Sequence, residues 1–231
     1  MLLSDAAPIP RTALRGRNGL SSEAREPVFN APWPALVLTA AIVAAYMWQQ
    51  QLGAPELVEH FAVGAPALRD GRYGVLITSL FIHGGWAHAL GNAVFALAFA
   101  TPVSRRMGTD AKGAAVFFIF YLVCGLISGL AFAASHWSDG NLAAGASGAI
   151  AGCMGASSRL MAGGPGLASF RSQPVVSMAL AWIGVNALFG LVFVGWAPGS
   201  SGAPMAWEAH LGGYAAGLLL LAPALRLLGR S

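Results

Sequence analysis

With 231 residues, 56% of them hydrophobic and 10% charged, the chain is far from a soluble domain, in which about a quarter of the residues are charged. Its formal charge of +4 comes from dispersed basic residues and not from a basic face, which excludes a nucleic-acid-binding module. The apolar residues are gathered into six long runs between short polar stretches, the pattern of one all-α, polytopic membrane domain.

Residues 1–32 form a leader that carries Arg11, Arg15, Arg17 and Arg25. Such arginines resemble a mitochondrial presequence, but Asp5, Glu23 and Glu26 do not fit one, and a disordered cytoplasmic leader is expected. The membrane domain is expected over 33–228, followed by a short tail at 229–231. A helix needs about 20 apolar residues to cross a bilayer. The runs at 33–52, 86–103, 113–135, 141–162, 175–197 and 207–228 meet or nearly meet that length. Six crossings bring both ends of the chain to one side.

That side follows from the basic residues. Of the 13 in the chain, all but Arg69 and Arg72 lie in the leader, in or beside the connections after the second and fourth runs, or at the C-terminal end of the sixth run and in the tail. Positive charge marks the cytoplasmic face, so both termini are expected there. The tryptophans agree, because Trp48, Trp86, Trp137, Trp196 and Trp207 fall at the outer interface and Trp33 at the inner one. The first outer connection, at 53–85, contains Pro55, Pro66, Tyr73 and the apolar run Val75-Leu76-Ile77. It is longer than a turn requires, and its apolar content predicts that it lies on or in the outer leaflet.

His83 precedes the second run, and within that run His88 and Asn92 are four residues apart and share one helical face. In the third run Cys124, and in the fourth Cys153, have no CxxC neighbour and read as small core residues. The fourth run also holds Gly145-Ala146-Ser147-Gly148, and the sixth holds His210. Gly148 and Gly152 in the fourth run, and Gly213 and Gly217 in the sixth, have the small-xxx-small spacing that lets two helices pack closely in lipid.

The second, fourth and sixth runs all descend from the outer face. Ser147 and His210 then lie roughly 5 to 10 Å below their entry points at 1.5 Å per residue, level with His88 and Asn92. Ser147 alone is more commonly a packing residue, and Asn92 alone an interhelical bond. Polar groups are costly in a bilayer, however, and four at one depth point to chemistry. A serine hydroxyl becomes a nucleophile when a base such as histidine takes its proton. Acyl transfer also needs donors aimed at the oxyanion, and the candidates are His88, Asn92 and the backbone N–H of Ser147. His60 and His136 fall in outer connections and read as solvated. His83 and His88 are five apart with no carboxylate beside them, so a metal site is not expected. No Asp or Glu lies mid-helix, which disfavours a proton-coupled transporter.

Phe81-Ile82-His83 with Trp86-Ala87-His88-Ala89-Leu90-Gly91-Asn92, then Gly145-Ala146-Ser147-Gly148, then Ala209-His210-Leu211-Gly212-Gly213 with Gly217 resemble, in that order, three motifs of the rhomboid intramembrane serine proteases. The resemblance covers about 33–228 and implies a six-helix bundle of the bacterial type, in a bacterial inner membrane. It implies a dyad of Ser147 as nucleophile and His210 as general base and then acid, with His88, Asn92 and the Ser147 N–H as oxyanion donors. It further implies no metal or organic cofactor, and transmembrane segments of other proteins as substrates, cut near the outer face; Gly145 and Gly148 are candidate lining residues, and His83, near the interface, reads either as site-lining or as structural. The alternative is a rhomboid-like protein that binds transmembrane clients without cutting them. Two positions depart from the family pattern: Gly74 and Val75 stand where many relatives have a Trp-Arg pair, and Ala151 stands where an aromatic residue commonly backs the catalytic histidine.

Overall fold

A computed structural model describes residues 30–53, 56–161, 166–196 and 202–230. The expected leader up to residue 29, Pro55, the last residues of the expected fourth and fifth runs (162 and 197) and the final tail residue lie outside the described residues. The chain divides into two units, 1–30 and 31–231, and the second holds every element named below.

Among the described residues five helices are long and apolar enough to cross a membrane: α1 (Trp33–Leu52), α5 (Trp86–Met107), α6 (Ala111–Ser135), α8 (Gln173–Ala187) with the π-helical turn Leu188–Val192 that continues it, and α9 (Trp207–Leu227). The connection after α1 contains three short helices, α2 (Glu56–Phe61), α3 (Ala65–Arg69) and α4 (Val75–Thr78), and a 3₁₀ turn at Ser79–Phe81. Among the described residues there is no β-strand, only one isolated antiparallel bridge between Val63 and Ala143.

The fourth run departs from its expected span of 141–162. Its helix, α7, occupies Ser147–Ser158, and twelve residues reach only about 18 Å, short of a hydrocarbon core of about 30 Å. The reason lies in the residues before it. Val63 and Ala143 exchange backbone hydrogen bonds of 2.8 Å, and the Gly145 N–H donates to the Ser79 carbonyl at 2.8 Å. Gly145 has φ +123°, a conformation that glycine adopts without steric penalty. The stretch is thus bonded to the first connection and not wound into helix, so α7 begins below the end of the bundle. Every residue of α7 from Gly148 to Ser158 is buried, which a helix of small residues tolerates because it is wrapped by α5, α6 and α9.

Backbone contact fixes α7 against α9. A Cβ on Gly213 would stand 2.0 Å from the Gly148 carbonyl oxygen, and one on Gly217 would stand 1.8 Å from that of Gly152. The two glycine pairs therefore face each other rung by rung, so these helices approach as only small residues permit. Cys124 and Cys153 are buried free thiols in the core made by α1, α5, α6, α7 and α9.

Hydrogen bonds identify the two ends of the bundle. At one end the Trp33 indole donates to the Thr109 carbonyl at 2.9 Å. Arg230 there donates to Asp110 at 2.8 Å and to the Met107 carbonyl, so the start of α1, the α5–α6 corner and the end of α9 lie together. Asp110 also caps α6 by accepting from the Gly113 N–H at 2.6 Å, and these bonds hold its carboxyl below the usual range. At the other end, Gln49 brackets the His83 backbone, donating to its carbonyl at 2.9 Å and accepting from its N–H at 3.0 Å. The first connection docks on α6 there: Val63, Ala67, Leu68, Val75 and Leu76 pack with Ala133. Arg69 bonds the Trp137 carbonyl and lies 5.8 Å over its ring, which ties α3 to the α6–α7 connection. Arg72 donates to the His60 carbonyl at 3.1 Å, and Tyr73 is exposed.

Candidate active site

Ser147 is the first residue of α7, so its backbone N–H belongs to the first helical turn, where N–H groups have no intrahelical acceptor and carry positive potential. Its hydroxyl meets His210, which lies in the first turn of α9, with Oγ to Nε2 at 2.8 Å. The Gly148–Gly213 approach sets this distance, because each glycine is within three residues of one of the two partners. His210 is buried. Its other ring nitrogen, Nδ1, lies 2.9 Å from Oδ1 of Asn186 on α8.

On the opposite flank, His88 and Asn92 project from one face of α5 toward Gly145. A Cβ built on Gly145 would stand 2.8 Å from His88 Nε2 and 3.5 Å from Asn92 Nδ2. The missing side chain at 145 is thus what lets both donors approach the segment that leads into Ser147. Asn92 is buried, and its Nδ2 has no partner. A buried, unsatisfied amide donor is costly, and it is suited to receive a charge that appears only during a reaction. His88 Nδ1 accepts from the Gly84 N–H at 3.4 Å, which leaves the proton of the neutral ring on Nε2, the nitrogen nearest Gly145.

His83 packs among other rings. Its ring is buried, stands edge-on to those of His88 (5.1 Å) and Tyr46 (6.3 Å), and neither nitrogen has a partner. Burial, with His88 beside it, pushes its pKa from 6.5 down to about 4. Burial thus favours the neutral form of this ring, which stands beside that of His88. His60 is exposed. His136, expected to be solvated, instead lies 2.8 Å from Asp139 and 3.3 Å from Glu208, the second residue of α9. Bonding to Asp139, with Glu208 adding to it, raises the His136 pKa.

Two residues absent from the sequence reading complete the surroundings of His210, and both come from α8. Trp182 places its ring 5.6 Å from that of His210 and packs on the cluster of Ala151, Met154 and Tyr214. An aromatic ring thus borders the histidine although the position four residues after Ser147 is Ala151. Asn186 is the other. Its signal in the sequence is that of a lone amide in an apolar run, one helical turn beyond a tryptophan.

Beside Ser147 lies a cavity of about 30 Å³ bordered by Ser128, Gly129, Gly145, Gly148 and Ala209, room for a water molecule or a methyl-sized group. A hydroxyl within hydrogen-bond reach of an imidazole, two side-chain N–H groups nearby and a small adjoining space are groups that acyl transfer can use.

A family model described as the Rhomboid domain matches residues 70–227. That span begins in the first connection and includes Ser147, His210, His88 and Asn92. Comparison with curated proteins finds no match.

Proposed function

The chain belongs to the rhomboid family, and from that membership we propose that it is an intramembrane serine endopeptidase, which cuts transmembrane segments of other proteins near the outer face of the bilayer. The observation that carries this reading is the 2.8 Å contact between Ser147 Oγ and His210 Nε2, made at the head of two helices and flanked by the unpartnered Asn92 amide. Ser147 Oγ attacks the scissile carbonyl while His210 Nε2 takes its proton. The oxyanion is met by Asn92 Nδ2, His88 Nε2–H and the Ser147 N–H. The imidazolium then returns the proton to the leaving amine, and water, activated by the same nitrogen, hydrolyses the acyl-enzyme. No cofactor is needed in this scheme.

The bundle in this reading is the six-helix one, with α7 as its short inner member, both termini cytoplasmic, and the site open to the outer side of a bacterial inner membrane. A helical substrate in lipid has its peptide groups bonded internally, so a segment must unwind before attack. The small cavity next to Ser147 supports a preference for small residues at the cut. Substrate enters past α8, of which only Val175 and Asn186 are buried within the chain.

Purified protein reconstituted with a fluorescent transmembrane substrate tests the proposal. Cleavage by wild type and its loss in Ser147→Ala are expected. A wild type that binds the substrate without cutting it establishes the alternative, a rhomboid-like client-binding protein.

A further inference from the structure

For histidine to act as a base toward Ser147, Nε2 must be bare and Nδ1 must hold the ring's one proton. In the neutral imidazole this is a choice between two tautomers, and the structure contains a device that makes it. The Asn186 amide lies 2.8 Å from the Trp182 carbonyl oxygen, four residues earlier on α8. A carbonyl oxygen only accepts, so the atom of Asn186 that faces it is the NH₂. Oδ1 therefore faces His210, at 2.9 Å from Nδ1. An amide oxygen also only accepts, so Nδ1 carries the hydrogen. Nε2 is then bare, and the 2.8 Å contact with Ser147 has the hydroxyl as donor. The flipped amide sets oxygen against oxygen at Trp182 and leaves a buried donor without its bond, which is disfavoured.

Asn186 is itself placed firmly. It is 1% exposed, and a second contact between the same two segments keeps them in register: a Cβ on Gly190, one turn after Asn186, would stand 2.7 Å from the ring of Trp207, which begins α9. Asn186 opposite His210, and Gly190 opposite Trp207, are successive rungs of an antiparallel crossing. The local helix widens into the π turn two residues after Asn186, at Leu188, a distortion found often at functional sites.

We propose that Asn186 is a positioning residue that converts the Ser147–His210 pair into a Ser-His-Asn relay, holding His210 in the tautomer that can take the serine proton. This rests on the protease reading above. Asn186 touches neither substrate nor Ser147; it acts through Nδ1 of His210. Trp182 gives the relay its polarity through a backbone carbonyl that mutation does not remove.

Three measurements test it. In wild type, ¹⁵N spectra of His210 near neutral pH should show Nδ1 protonated and Nε2 bare; the reverse assignment overturns the proposal and does not depend on turnover. In reconstituted protein with a transmembrane substrate, Asn186→Leu keeps the volume and removes the acceptor. It should lower kcat by roughly 10²-fold or more, by analogy with loss of the orienting group in hydrolytic triads, with KM within about two-fold. Asn186→Asp restores an acceptor and adds a charge beside the imidazolium. It should recover more activity than Leu and move the acid limb of the kcat/KM profile, set by His210 with His88 as the other titratable ring at the site, to higher pH. A purely structural role predicts the opposite order, because leucine suits the apolar surroundings of α8 better than a buried carboxylate. Asn186→Leu with wild-type kcat, or a better enzyme than Asn186→Asp, rejects the relay. If wild type itself does not cleave, the protease reading fails, and the ¹⁵N spectrum still decides whether Asn186 sets the tautomer.

Discussion

Replacing Gly213 by alanine probes how packing sets the chemistry. The new Cβ would stand 2.0 Å from the Gly148 carbonyl oxygen and 2.8 Å from its carbon, whereas contacts under 3.0 Å are essentially never tolerated. Both obstacles are backbone, so no side chain can swing aside, and α9 must back away from α7 by about 1 Å to reach even that limit. The same displacement acts three residues away on His210, whose Nε2 is 2.8 Å from Ser147 Oγ, and carries the pair to roughly 3.8 Å, beyond hydrogen-bond range. Misplacement of a reacting group by 1 Å costs on the order of 10²-fold in rate, and overpacking costs about 1–3 kcal/mol of stability. In reconstituted vesicles the variant should show kcat down by about that factor, with a lowered midpoint in thermal unfolding. Gly184→Ala is the control: Gly184 has nothing within 4 Å of a new Cβ, so activity should hold and helix stability should rise by up to about 1 kcal/mol. Gly213→Ala with kcat within two-fold of wild type, in a folded protein, would refute the argument that this glycine contact sets the dyad.

Asn92→Ala removes a buried donor that has no other partner; kcat should drop by about 10²- to 10³-fold with little change in KM, which steady-state kinetics will read. Gly145→Ala sets a methyl 2.8 Å from His88 Nε2 on a backbone at φ +123°; cleavage should fall steeply while the far end of the bundle keeps its amide-exchange protection. His136 should make stability depend on pH. Its pKa is raised by bonding to Asp139 and then by Glu208, so its stabilisation is complete below the ordinary histidine value of about 6.5 and is lost as pH rises through the raised value. The melting temperature of wild type should therefore exceed that of His136→Ala most at about pH 6 and least at about pH 9. A gap that is constant with pH would show that the His136–Glu208 contact does not depend on protonation.

The long apolar segments were legible because hydropathy reports what a bilayer demands of every spanning helix. The Gly148–Gly152 and Gly213–Gly217 pairing was legible because small-residue spacing encodes backbone approach. The length of α7 was not, since its start is decided by bonds from Ala143 and Gly145 to Val63 and Ser79, residues far away in the chain with no local signature. The apolar run at 141–162 has the composition of a crossing helix, but its first residues are bonded to the first connection and not wound into helix. Ser147, His210, His88 and Asn92 could be grouped by depth alone. Asn186 could not, because α8 runs in the opposite direction and no depth rule says which of its faces meets His210. Trp182 was hidden for the same reason: the family pattern places the aromatic neighbour on the serine's helix, at the position of Ala151, and the structure supplies one from another helix. The charged cluster of His136, Asp139 and Glu208 joins residues on two segments that only the fold brings together.

The central claim is that Ser147 is a nucleophile activated by His210. Treating the folded protein in detergent or vesicles with a serine-directed fluorophosphonate, then mapping the adduct by peptide mass spectrometry, tests it most directly. One adduct is expected, on Ser147, absent from Ser147→Ala and strongly slowed in His210→Ala. A folded wild type that stays unlabelled, or an adduct on any other residue that survives Ser147→Ala, would contradict it.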